Sequence, residues 1–203
     1  LVGSEGTCAI ILEAKLRLVP SPRCKSLVCL GYQDVFIAAE AVSSILEFKP
    51  IALEGFEGEV LKVMKRRNLQ LDNIALLPPG EGTLLVEFGG DSMAAADAEA
   101  DKLVVWLRAQ SDPPIIKVVR DPGEVGRIWK VRESGNGTTT VIPGLPSITH
   151  EGWEDAAVHP RVLGPYLRDY KKLLAKHGYQ GWYYGHFGEG VVHQRVTFDL
   201  ESE

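Results

Sequence analysis

The chain has 203 residues, enough for one or two domains, and its 45% hydrophobic and 24% charged residues are the composition of a globular protein with a sizeable core. The net charge is -5, and the basic residues are dispersed apart from a short run over positions 62–67, which argues against a nucleic-acid partner, because phosphate binding needs a concentrated basic surface. No apolar run approaches the roughly 20 residues that span a bilayer, and no secretory leader is visible, so a cytoplasmic protein without a transmembrane segment is expected, peripheral membrane contact being the alternative.

Cys8, Cys24 and Cys29 are an odd set without a Cys-x-x-Cys pair, which indicates neither a disulfide framework nor an iron–sulfur or zinc-ribbon site. The chain starts at Leu1 and runs at once into Gly-Ser-Glu-Gly-Thr, and it reads as a piece of a longer protein. Residues 8–19 alternate imperfectly between apolar and polar (Ala9, Ile11, Leu12, Ala14, Leu16, Leu18), predicting a strand ended by Pro20-Ser21-Pro22, the expected domain boundary. A second strand follows over 25–31. Asp34 then caps a helix to about residue 48, with Phe36, Ala39, Val42 (or Ser43) and Leu46 on one stripe. Residues 50–56 read as a short strand, and 57–68 as a short helix bearing Val60, Leu61 and Met64.

Pro78-Pro79-Gly80-Glu81-Gly82 is a turn into a strand over 83–88, after which Asp91 or Ser92 caps a helix to about residue 109 with Leu103, Val104 and Leu107 buried. Residues 114–119 are the next strand. Two successive β-α-β units of this kind build an antiparallel sheet covered on one side by helices. A helix over 121–133 carries Ile128, Trp129, Val131 and Arg132. The Gly/Thr/Pro-rich stretch 134–146 reads as a loop, and a loop of that length in a compact domain is more often functional than idle. A short strand over 153–158 precedes a helix opened by Pro160, with Leu163, Leu167, Tyr170 and Leu174 at helical spacing, which Gly178 stops.

The last predicted element is a hairpin of residues 180–186 and 191–198 around Gly188-Glu189-Gly190, and it holds two of the five histidines. If Glu189-Gly190 forms a two-residue turn, Phe187 faces Val192 and His186 faces His193. Directly opposed residues share a face with Cβ atoms about 4.5–5.5 Å apart, close enough for two imidazoles to hold one metal ion. A lone histidine in a sheet is more often a partly buried residue bonded to a backbone carbonyl. Two on one face of a glycine-lined turn shift the balance toward a metal or catalytic site. A divalent ion wants at least three protein ligands, and the third is not obvious in this chain.

Three separated motifs resemble a known family. Gly3-Ser4-Glu5-Gly6-Thr7 with Ile10-Ile11-Leu12-Glu13-Ala14 resembles the segment that closes the FAD-binding domain of vanillyl-alcohol-oxidase-type flavoproteins. His186-x-Gly188-x-Gly190-x-x-His193 resembles the metal motif of the FAD-linked oxidase C-terminal domain of D-lactate, glycolate and D-2-hydroxyglutarate dehydrogenases. Trp129-Lys130-Val131-Arg132-Glu133-Ser134, Trp153-Glu154-Asp155-Ala156-Ala157-Val158 and Gly185-His186-Phe187-Gly188 are most similar to large bacterial members fused to an iron–sulfur domain.

The resemblance implies an α+β domain of ferredoxin-like split βαβ units, its antiparallel sheet covered by helices. Residues 1–22 would be the tail of the FAD-binding domain, and 23–203 the substrate and cap domain. His186 and His193 would ligate a divalent ion (zinc, manganese or iron) that also binds the substrate's hydroxyl and carboxylate oxygens, His193 thereby taking a catalytic part, while the flavin takes the hydride. Arg132 would bind the substrate carboxylate, although taken alone it is a helix-surface arginine paired with a nearby carboxylate. Glu154 and Asp155 match an acidic pair near the metal, solvated strand-edge charges being an equal reading. Gly3, Ser4, Glu5, Gly6 and Thr7 would form one wall of the FAD site, and by themselves are an ordinary turn.

Cys8-Ala9 departs from the family's Leu-Gly. Arg195 stands where D-2-hydroxyglutarate dehydrogenases have asparagine, although the fused members resemble this chain there, and an arginine could bind a second carboxylate, which makes a dicarboxylic hydroxy acid attractive. The family's further Glu-His ligand pair would lie beyond Glu203, as would an iron–sulfur domain, and nearly all of the FAD-binding domain is missing from this piece, so it is not expected to bind FAD on its own. The expected function is therefore part of an FAD-dependent oxidoreductase acting on a D-2-hydroxy acid, with an iron–sulfur acceptor domain or subunit as partner. A noncatalytic cap that docks such a partner is the alternative. A metal-dependent hydrolase is a third reading, disfavoured because no nucleophile lies near the hairpin in sequence.

Overall fold

The boundaries of the elements follow the capping residues. In the computed structural model, which describes residues 7–19, 21–145, 149 and 155–200, Asp34 accepts from Ile37 N at the start of α1 (Val35–Ile45), Ser92 from Ala95 N at the start of α4 (Met93–Arg108), and Asp121 from Glu124 N at the start of α5 (Pro122–Glu133). Each side-chain oxygen satisfies an amide that has no partner inside its helix. Between them lie β1 (Cys24–Tyr32), β2 (Ala52–Glu57), α2 (Gly58–Arg66), the short α3 (Leu71–Ile74), β3 (Gly82–Gly90) and β4 (Ile115–Val119). Beyond α5 come α6 (Gly135–Thr140), β5 (Ala156–Ala157), α7 (Leu163–Lys176), β6 (Gly181–Gly185) and β7 (Val191–Val196).

The sheet has seven strands in the order β4-β1-β3-β2-β6-β7-β5, every pair antiparallel. Its first four strands, with α1 and α4, have the β-α-β-β-α-β order of the ferredoxin-like unit, and β6, β7 and β5 extend the same sheet past β2. The α+β expectation therefore holds, with one difference: helices cover both faces. Val28, Leu30, Leu84, Val86 and Leu53 pack against α1, α4 and α7. Leu27, Cys29, Leu85 and Phe56 pack against α2 and α5 on the other side. The reason lies in β1, which is buried from Ser26 to Tyr32 without alternation, and a strand that is apolar on both sides needs cover on both.

Three local expectations are corrected. Residues 8–19 form no strand: Ile10 is 88% exposed and Leu12 is 93% exposed, and the segment pairs with no strand of the sheet, without which an isolated extended run has nothing to hold it. Within the stretch 134–146, residues 135–140 are helical. Ser134, Thr139 and Thr140 return their hydroxyls to the carbonyls of Lys130, Gly135 and Asn136, and Arg67 Nη1 caps the carbonyls of Gly137 and Thr138 at 3.0 and 2.9 Å. The last helix starts at Leu163, preceded by a single 3-10 turn at Pro160–Val162.

Glu57 closes β2 at the cap position of α2. Burial pushes its carboxyl up to about 7, helped by Glu59 and opposed by Lys171 and Lys62 and by a backbone hydrogen bond from Tyr183. The native state thus holds this proton more tightly than the unfolded chain, whose carboxyl titrates near 4.5. The resulting stability is complete below that value and is lost as the pH rises through about 7. Glu57→Gln is therefore expected to gain about 2–3 kcal/mol on the wild type between pH 4.5 and 8 in urea unfolding. Parallel pH profiles of the two proteins would contradict this.

Candidate functional site

The strand registers bring the site together. β2 pairs with β6 through Gly55 with Gly185 and Phe56 with Tyr184, so one step further His186 lies opposite Glu54. β5 pairs with β7 through Ala156 with Val192, so one step further Asp155 lies opposite His193. His186 Nδ1 is 2.7 Å from Glu54 Oε1, and His193 Nδ1 is 2.7 Å from Asp155 Oδ1. Each imidazole is therefore anchored by a carboxylate on its own neighbouring strand.

The two histidines are not directly opposed. Tyr184 pairs with His193, and residues 187–189 form a 3-10 turn in place of a two-residue turn. The register is shifted by two from the expected one. Side chains in a strand alternate with a period of two, so such a shift keeps both histidines on the same face, as diagonal neighbours. Their ring centres are 5.9 Å apart, at 71°.

Gly190 makes this turn possible. Its φ of +70° is left-handed, and a Cβ there would sit 1.7 Å from Val158 O. Val158 N in turn donates to Gly190 O at 3.0 Å and ties the β5 edge to the turn. Gly190→Ala is expected to cost more than about 2 kcal/mol, from the left-handed backbone and the clash together. A urea midpoint equal to that of the wild type would contradict that.

Arg132 comes from the last turn of α5, over the same face. Its Nε and Nη2 both donate to Glu54 Oε2 at 2.8 Å, and its guanidinium lies 5.4 Å from the centre of the Tyr184 ring. The side chains of Arg132 and Glu54 are 11% and 10% exposed, those of His186 and His193 54% and 30%. Arg132 is thus paired with a carboxylate, as its residue type alone suggested, but inside the site. Arg195 lies two residues beyond His193 on the same face, opposite Trp182, and is buried, its Nη2 donating to Asn136 Oδ1 from α6.

Of the remaining predicted residues, Thr7 is exposed beside Cys8. Gly3, Ser4, Glu5, Gly6, Trp153 and Glu154 lie outside the described residues. Glu54 was missed, because only its non-local pairing with β6 reveals it. Glu87 was missed as well. It is buried on the same face between Trp129 Nε1 at 3.0 Å and Lys25 Nζ at 2.8 Å. These residues line a cavity of about 660 Å³ whose walls include neither histidine and neither site arginine. Burial pushes the Cys29 thiol up to about 12, so it offers no thiolate at neutral pH and lends nothing to a hydrolase.

Among the described residues no group of three His, Cys, Asp or Glu side chains is arranged to hold a metal ion. The donor set fits a divalent ion in part. Two imidazoles that bind one zinc at about 2.1 Å each bring their ring centres to within roughly 6 Å, and a carboxylate on Nδ1 is the usual outer partner of a ligating histidine. The chain supplies two such ligands.

Fold and site together define an α+β domain with a polar His, Arg and carboxylate site on one face of a ferredoxin-like sheet. A model of the C-terminal domain of FAD linked oxidases matches residues 21–203, and the chain belongs to that family. It is 27% identical to D-2-hydroxyglutarate dehydrogenase of Pseudomonas putida over 100% of its length and 21% of that protein's. It is 29% identical to D-2-hydroxyglutarate dehydrogenase of Escherichia coli, over 98% of this chain and 20% of the other. It is 24% identical to D-lactate dehydrogenase of Archaeoglobus fulgidus, over 96% and 40%. The chain thus spans between a fifth and two fifths of these relatives. No helix among the described residues is long and apolar enough to cross a membrane.

Proposed function

We propose that this domain binds a D-2-hydroxy acid, of the D-2-hydroxyglutarate or D-lactate kind, within an FAD-dependent dehydrogenase. The observation that carries the reading is the convergence of two carboxylate-anchored imidazoles and a largely buried arginine, Arg132, on one sheet face. The names of the relatives, all enzymes of 2-hydroxy acids, support it. When bound, FAD supplies a hydride acceptor and a divalent ion lowers the pKa of the substrate hydroxyl.

His186 and His193 would hold that ion through Nε2, their Nδ1 atoms being engaged by Glu54 and Asp155. Arg132 would take the substrate carboxylate. Two of its five N–H donors go to Glu54, and the outer edge of the fork is what a carboxylate meets. Arg195 would pair with a second carboxylate once a substrate draws it from Asn136, which favours a dicarboxylic hydroxy acid. The iron–sulfur acceptor rests on the sequence resemblance. Turnover of the complete flavoprotein with a dye acceptor, over D-2-hydroxyglutarate, D-lactate, glycolate and D-malate, tests the reading. Oxidation of at least one is expected, and a flavin-loaded protein that oxidises none would overturn it.

A further inference from the structure

Glu54 touches both halves of the site. Oε1 meets His186 Nδ1 at 2.7 Å, and Oε2 receives Arg132 Nε and Nη2 at 2.8 Å. We infer that Glu54 is the positioning residue of the reaction proposed above, on which this inference rests, and that it acts through Arg132 and His186 together.

The contact with Glu54 engages His186 at Nδ1 and leaves Nε2 facing away from the carboxylate. The same carboxylate fixes the plane of the guanidinium, which leans on Tyr184. Glu54 can reach both because it is buried in the interior of the sheet. It lies in β2, between β3 and β6, with Leu85 as its direct partner on one side. His193 has a separate anchor in Asp155, whose side chain is 48% exposed. The ligand face of one imidazole and the carboxylate-binding face of the arginine thus share one buried anion.

Two substitutions separate the two tasks. The amide of Glu54→Gln can still accept from His186 Nδ1 through Oε1, but it turns an NH2 toward Arg132. The Michaelis constant for the hydroxy acid should then rise about tenfold, with manganese affinity held within a factor of about three. Glu54→Ala removes both contacts. It should weaken manganese binding by about 10- to 100-fold as well, and added formate should recover part of both losses by occupying the vacated carboxylate position.

Both variants are measured in the complete flavoprotein, by competition of manganese against a chromogenic chelator and by the split between KM and kcat. Glu54→Gln keeps the shape of the side chain, which makes it informative even if the alanine variant fails to fold. A Glu54→Gln protein with unchanged KM, or a flavin-bound Glu54→Ala protein with the metal affinity of the wild type, overturns the inference. Failure of the wild type to oxidise any hydroxy acid would instead strike the reading it rests on, and the metal titration would still report on Glu54.

Discussion

Alanine in place of His186 or His193 is expected to lower kcat of the complete flavoprotein by roughly a thousandfold or more, while the fold survives. Loss of a metal ligand removes several kcal/mol of charge stabilisation in the transition state, and each 1.4 kcal/mol or so is a factor of ten. The cost in stability is small, because both imidazoles are partly exposed and their anchors keep other surroundings: Glu54 stays paired with Arg132, and Asp155 remains half exposed. Less than about 1 kcal/mol should be lost in urea unfolding. Variants with normal turnover after removal of their metal would contradict the role given to both residues.

Arg132→Met is expected to damage stability as well as binding. Arg132 and Glu54 are each about nine-tenths buried, and truncating one partner leaves the other as an uncompensated buried charge. Breaking such a pair typically costs about 3–5 kcal/mol, and retention of the His186 contact places this case near 3. The double variant Arg132→Met, Glu54→Leu should recover much of that loss, because the desolvated carboxylate is gone, but should recover none of the substrate affinity. Urea denaturation of the two variants measures the first effect, and KM for the hydroxy acid the second. A stability of Arg132→Met within about 0.5 kcal/mol of the wild type would show that the ion pair is an idle one.

How far the sequence could be read depends on whether the signal was local. The caps Asp34, Ser92 and Asp121 are local chemistry, and they start the helices where the sequence says they should. The sequence pattern predicts direct opposition of His186 and His193 through a two-residue turn, whereas a 3-10 turn shifts the register by two. The two histidines still share a face, because an even shift preserves it. Glu54 is different. Its role follows from β2 lying beside β6, a contact between residues more than a hundred positions apart, and nothing in Ala52–Glu57 announces it.

Residues 8–19 and 134–146 show the opposite failure. In the first, alternation was present but no strand pairs with it. In the second, glycine and threonine hid a short helix that Arg67 caps from 70 residues away. The two-sided cover of the sheet was legible after all, since the unbroken apolar run in β1 states it, but the antiparallel pattern drew the expectation toward a single covered face.

The central claim, a metal-assisted hydroxy-acid oxidation on this sheet face, is tested most directly by anaerobic mixing of the complete flavoprotein with D-2-hydroxyglutarate, D-lactate, glycolate and D-malate in turn, with and without a chelator. We predict that at least one D-hydroxy acid bleaches the flavin, that the chelator abolishes the bleaching, and that added divalent metal restores it. Bleaching that is indifferent to the chelator would contradict the role of His186 and His193, and a flavin-loaded protein bleached by none of the four acids would contradict the substrate class itself.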